Sequence, residues 1–192
     1  MEHENLSKPQ LHKMFTEPLQ QFDLIRHQPL VKKPIVVVII LSLIATWLNA
    51  FNMYDFNFSD PVLLTSVLIS SILGIPFGLL IASSIQLGLS TFAKNSTVTM
   101  HQLYSMNTHL AMIAILGLFV NGIIALLFNI DLEEQLTSLA FYTHTGTIAN
   151  YFLSSLEVFF LWNLILVGFG LQRMADFPKT LAWITAAVLF LV

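Results

Sequence analysis

Apolar positions come in long uninterrupted blocks along this chain, neither alternating as in a half-buried strand nor striped as on a surface helix. The run 35–53 (IVVVIILSLIATWLNAFNM) carries no charge. Roughly 20 such residues at about 1.5 Å each cross about 30 Å of hydrocarbon, so this run predicts a membrane span. Apolar sequence resumes at Pro61 and continues to about Ala93, longer than one perpendicular crossing. Pro76 near its middle, flanked by Gly74 and Gly78, predicts one tilted or kinked helix. Two helices joined by a re-entrant turn at Gly74-Ile75-Pro76 are the alternative. Further blocks follow at 103–128, 151–172 and 179–192, separated by KNSTVTM, by a long mixed loop 129–150 and by the short turn RMADFP. The expectation is an all-α integral membrane protein with five transmembrane helices, at about 35–54, 62–93, 103–128, 151–172 and 179–192.

Residues 1–33 form a different kind of segment. Phe15, Leu19, Phe22 and Ile25 recur at three-to-four spacing, with Pro18 fit for a first turn and Thr16 as a candidate cap. This predicts a short amphipathic helix, either lying on the inner leaflet or serving as a docking element. The segment lacks an apolar signal region, so the first span is expected to act as its own insertion signal.

Charge turns the span count into a topology. The chain is 56% hydrophobic and 10% charged, with eight Lys and Arg residues. Lys8, Lys13, Arg26, Lys32 and Lys33 precede the first span, and Lys94, Arg173 and Lys179 occupy two linkers. With five spans and a cytoplasmic amino terminus, all eight fall on the inner side and the carboxyl terminus lies outside. Splitting the 61–93 segment would move three of them outside, so the single-helix reading is preferred. Trp47 and Tyr54 suit an interfacial aromatic belt. The net charge of −3 offers no basic stripe for nucleic acid. The absence of Cys removes disulfides, thiolate catalysis and Cys-based metal sites.

Candidate chemistry is sparse. Glu157, expected two turns into the fourth span, is the carboxylate nearest the membrane interior; a structural or interfacial role is favoured over proton or ion transport. His101 and His109 share a helical face, but no third ligand lies near in sequence and metal binding is not expected. Asn49, Asn52, Asn107, Asn121 and Asn163 are polar intruders. Asn107, Ala111, Ala114 and Asn121 fall within one narrow wedge of the third span, which suits helix packing better than a substrate path. Gly74-x-x-x-Gly78 reads as a packing signal as well. Nucleotide-binding, dinucleotide-binding, serine-hydrolase and zincin motifs are all absent, so no enzyme and no cofactor is expected.

Three stretches carry a family resemblance: EPLQQFDLIRHQPLVKKPIVV, VTMHQLYSMNTHLAMIAIL and LSSLEVFFLWNLILVGFGLQRMADFPKTLAWI. The last matches an acidic residue, an aromatic, a Trp and a Gly-Leu pair at Glu157, Phe160, Trp162, Gly170 and Leu171. Together they resemble the Yip (Ypt-interacting protein) domain family, in its bacterial branch. The resemblance implies a five-helix, multi-pass protein of a bacterial plasma membrane, without ATPase motifs. It also implies an accessory or assembly role beside ABC-type exporter subunits, with the bilayer, other membrane proteins and a homo-oligomer as compatible partners. A self-sufficient small transporter or channel is one alternative. A membrane-traffic or membrane-shaping factor like the eukaryotic relatives is another.

Overall fold

The computed structural model describes residues 8–51, 61–93, 96–128, 137–142, 153–154 and 156–190. Asn52, Tyr54, Lys94, His144, the acidic residues Asp131, Glu133 and Glu134, and the first residues of the expected fourth span lie outside the described residues.

Among the described residues the chain is helical, apart from turns and one isolated bridge between Ser138 and Glu157. A 3-10 turn at Leu11–Met14 leads into α1, Pro18–His27, and then α2, Lys32–Phe51. α3 is an unbroken helical run made of Pro61–Ile69, a π turn at Ser70–Gly74, and Ile75–Ser90. α4 is Met100–Phe128, a 3-10 turn lies at Leu139–Tyr142, α5 is Val158–Ala175 and α6 is Lys179–Phe190. α2, most of α3, α4 and α5 are long and apolar enough to cross a membrane, while α6 is a shorter apolar helix.

Local chemistry explains the boundaries. Pro18 opens α1 in its first turn, where a missing N–H costs nothing; the cap residue is Glu17 rather than Thr16, and no side chain bonds there. In α3, Pro76 offers no N–H to the carbonyl of Ile72, and the π turn just before it is the local widening that accommodates this defect. The distortion expected at Pro76 thus takes the form of a bulge inside one helix. Thr99 and Gln102 form a capping box on α4: Gln102 N–H donates to Thr99 Oγ1 at 3.3 Å, and Thr99 N–H donates to Gln102 Oε1 at 2.8 Å. α5 ends at Asp176, whose φ of 53° lies in the left-handed region that Asp tolerates. Phe177 N–H then returns to the Leu171 carbonyl at 3.1 Å.

The chain divides into two compact units. The first comprises Met1–Val36, Phe77–Met112 and Leu164–Val192. Its core holds Met14, Phe22 and Ile25 from the amino-terminal arm with Leu103, Met106 and Leu110 of α4 and Leu171 and Met174 of α5. Glycines set the approach of the helices there: a Cβ on Gly170 would meet Met106 Sδ at 2.7 Å, and one on Gly168 would meet the Trp183 ring at 2.8 Å.

The second unit comprises Val37–Pro76 and Ile113–Asn163. Gly117 of α4 lies against Phe159 of α5, and Gly122 against Leu48 and Asn49 of α2. Asn49 Nδ2 donates to the Ala45 carbonyl at 2.7 Å and across to the Leu118 carbonyl at 3.0 Å. By contrast, a Cβ added to Gly74 or Gly78 would meet nothing within 4 Å, so this pair is not a packing site among the described residues.

Candidate functional site

The most elaborate polar construction is the seat of the arm in the first unit. α1 carries Asp23 and Arg26 one turn apart, and the end of α5 carries Arg173 and Asp176 at the same spacing in the opposite order. Arg173 Nε and Nη2 donate to Asp23 Oδ1 and Oδ2 at 2.8 and 2.9 Å. Arg26 Nη1 and Nη2 donate to Asp176 Oδ1 and Oδ2 at 2.8 and 2.5 Å, and Nη1 also reaches the Arg173 carbonyl at 3.2 Å. Fork-to-carboxylate pairing fixes angle as well as distance, so two such pairs hold α1 in one orientation. Bonding to Asp176 raises the Arg26 pKa further above its ordinary value, so this guanidinium stays charged at any working pH. All four side chains are substantially exposed, so the pairs orient the arm while apolar contact beneath them holds it.

That contact runs along one face of α4. Gln102 Nε2 donates to the Arg26 carbonyl at 2.7 Å. Ser105 Oγ accepts from Leu30 N–H at 3.0 Å and donates to the Leu30 carbonyl at 2.9 Å, pinning the link into α2. Met106 and the Phe22 ring both close on Gly170. Further along the same face of α4, His109 is fully buried, with its Nδ1 2.7 Å from the Ser105 carbonyl. Positions 102, 105, 106 and 109 are the stripe that one helix face presents.

Of the expected arm residues, Phe22 and Ile25 are fully buried, Phe15 is half-buried and Leu19 is 49% exposed. The inward side of α1 is therefore turned to protein, not laid on a leaflet. The amphipathic period is real; its apolar face has a partner inside the chain.

Two polar clusters lie elsewhere. In the first unit Asn107 Nδ2 donates to Gln86 Oε1 and to Ser83 Oγ, both at 2.8 Å, and Gln86 Nε2 returns a bond to Asn107 Oδ1 at 3.2 Å. Ser83 Oγ in turn donates to the Leu79 carbonyl at 2.6 Å. In the second unit Thr137 Oγ1 lies 2.6 Å from Asn121 Oδ1 and 3.0 Å from Glu157 Oε1. Glu157 is not two turns into a helix: it precedes α5, and its Oε2 accepts from Phe160 N–H at 2.8 Å. A carboxylate there caps orphan amides and complements the positive helix end.

Asn107 and Asn121 thus serve separate clusters, and Ala114 between them is exposed, so the expected wedge is not one continuous packing stripe. Asn163 is half-buried, and its Oδ1 has no hydrogen-bond partner among the described residues. His101 is exposed while His109 is buried, and no group of three metal-ligating side chains occurs among the described residues.

With α1 an integral part of the first unit, the extent of the family match becomes informative: the Yip1 domain model covers residues 13–192. The chain belongs to the Yip1 domain family. Because the match begins at residue 13, the docked helix lies within the Yip1 domain itself. Among curated proteins the chain is similar to membrane protein YknW of Bacillus subtilis (strain 168), at 27% identity over 201 residues covering 95% of this chain and 86% of the relative. No solved structure matches it. As the three quoted stretches implied, this is a Yip1-family membrane protein.

Sequence reasoning missed the reciprocal ion pairs, the Gln86 and Ser83 partners of Asn107, and Thr137. The ion pairs left a trace: Asp-x-x-Arg in the arm and Arg-x-x-Asp at the end of α5 are complementary at equal spacing. Thr137 gave no comparable signal, since it sits in a polar loop among many hydroxyl residues.

Proposed function

We propose that this Yip1-family chain is a non-enzymatic, five-span protein of a bacterial plasma membrane that acts as an accessory or assembly factor for an ABC-type exporter complex. Its amino terminus is cytoplasmic and its carboxyl terminus external, with α6 as the fifth span. The observation that carries this reading is the closed cluster of Ser83, Gln86 and Asn107, in which amides and hydroxyls of α3 and α4 bond one another without an ionisable group. Such pairing favours cohesion of helices in lipid over a path for solute. Contact with other membrane proteins is then left to the outer surfaces. The distribution of all eight cations supports the orientation. The test is affinity purification in mild detergent at native expression. Recovery of an ABC-type ATPase and permease is the expected result, and recovery of the chain alone overturns the reading.

One observation favours a second reading. Asn121, Thr137 and Glu157 form a short polar chain ending in a carboxylate, as a small transporter would use. Flux into liposomes by the wild type, altered in Glu157→Gln, would support it, and no flux by either form sinks it.

A further inference from the structure

Three side-chain oxygens meet in the second unit, each from a different part of the chain. Asn121 lies on α4, Thr137 precedes the 3-10 turn at Leu139–Tyr142, and Glu157 precedes α5. Two backbone bonds lay the last two side by side: Val158 N–H donates to the Thr137 carbonyl at 3.1 Å, and Leu139 N–H to the Leu156 carbonyl at 3.3 Å. Thr137 Oγ1 is then 2.6 Å from Asn121 Oδ1 and 3.0 Å from Glu157 Oε1. A hydroxyl has one hydrogen to give, whereas amide and carboxylate oxygens only accept. One of the two contacts is therefore oxygen against oxygen with no hydrogen between. Exchanging the oxygen and nitrogen of the Asn121 amide would supply one, but 2.6 Å is the spacing of an O–H donor and is short for an N–H donor.

Glu157 Oε2 is engaged separately by Phe160 N–H at 2.8 Å, which fixes the carboxylate and leaves Oε1 to the cluster. Asn121 is buried while Thr137 and Glu157 are half-buried, so the negative charge is partly desolvated and water can still complete a coordination shell. Carboxylate, amide and hydroxyl oxygens are the donors of hard cations. A single carboxylate balances a single positive charge, whereas calcium takes roughly six to eight oxygens and is favoured by added carboxylates. We propose that Asn121, Thr137 and Glu157 form a binding site for a small monovalent cation such as sodium, which takes the place of the missing hydrogen and ties the 137–142 segment to α4 and α5. The site uses the residues of the flux reading but does not rest on it, because binding requires no passage across the membrane.

The probe is sodium itself, compared with choline at equal ionic strength, on the full chain in mild detergent. At about 150 mM salt the wild-type unfolding midpoint is expected about 3 °C higher in sodium chloride, a shift of the size that a ligand present above its Kd gives a chain of this length. Glu157→Gln keeps the shape and removes the charge, and Thr137→Val keeps the shape and removes the hydroxyl oxygen. Both should lose the sodium increment. Gly170→Ala, in the other unit, should keep it despite a lower midpoint, which separates loss of the site from weakened folding. Equal wild-type midpoints in the two salts overturn the proposal, as does an increment that survives in either site variant. If a site variant does not fold, Asn121→Asp decides: a second carboxylate at the same oxygens calls for a divalent cation, so calcium should raise its midpoint by more than it raises that of the wild type, and an equal response overturns the site. A sodium increment without flux into liposomes leaves the site standing, and flux without the increment sinks the site alone.

Discussion

Asn107 shows what an amide in an apolar helix needs: a partner for each polar atom, supplied from one other helix. Asn107→Leu would keep the volume but leave Gln86 and Ser83 facing a side chain that can neither donate nor accept. A loss of about 1–3 kcal/mol is expected, read as a lower unfolding midpoint in detergent, because buried groups stripped of partners keep their desolvation cost. Glycines give a sharper contrast. Gly170→Ala places a methyl 2.7 Å from Met106 Sδ and 3.0 Å from the Phe22 ring, so about 1–3 kcal/mol of overpacking is expected. Gly78→Ala meets nothing within 4 Å and should be neutral or stabilising, by up to about 1 kcal/mol from helix propensity. Equal effects of the two substitutions in a thermal-shift measurement would contradict the packing described. The packing motif ranks these glycines wrongly, since the Gly-x-x-x-Gly signal falls on Gly78 and Gly170 enters only through the Gly-Leu pair of the family resemblance.

At the scale of the element, α1 is the helix whose existence was legible and whose neighbour was not. Its three-to-four period and Pro18 are local facts, readable without a fold. That Phe22 and Ile25 meet protein depends on α4 and α5 leaving a groove lined by Gly170, a tertiary fact that periodicity does not contain. The capping residues fell in between: Thr99 and Gln102 carry the spacing of a capping box, whereas Glu157 read as intramembrane because apolar sequence continues on both sides of it. The ion pairs make a prediction about α1 as a unit. Arg173→Asp sets two carboxylates against each other at Asp23, and a maleimide should then label Met14→Cys faster, since Met14 is fully buried while the arm is seated. Adding Asp23→Arg restores the pair in reverse and should return the slow rate. The pairs are exposed, so raising salt should speed labelling of the wild type modestly and leave an Arg26→Gln, Arg173→Gln double variant unchanged. Failure of the reversed pair to restore protection would mean that the charges do not orient the helix.

For the whole molecule, the bilayer is what made the sequence readable. Every backbone group in hydrocarbon must be satisfied within the segment, so long apolar blocks become helices almost regardless of detail. The long 61–93 segment is the place where block length and helix count part company, and its unbroken helical run from Pro61 to Ser90 agrees with the single-helix reading. Orientation rests on charge alone and is open to direct measurement. The oriented reading predicts that, in intact spheroplasts, a membrane-impermeant maleimide labels Leu139→Cys and leaves Thr16→Cys and Thr180→Cys unlabelled until the membrane is opened. All three positions are exposed, so accessibility should be decided by sidedness. If the 61–93 segment crossed twice, Leu139→Cys would be protected and Thr180→Cys labelled, because every later segment would change sides. The oriented reading keeps Arg173 and Asp23 on one face, in accord with the 2.8 Å bond between them. The ion pair therefore makes the sidedness of the arm and of the turn between α5 and α6 a single question: Thr16→Cys and Thr180→Cys must label on the same side, whichever side that is.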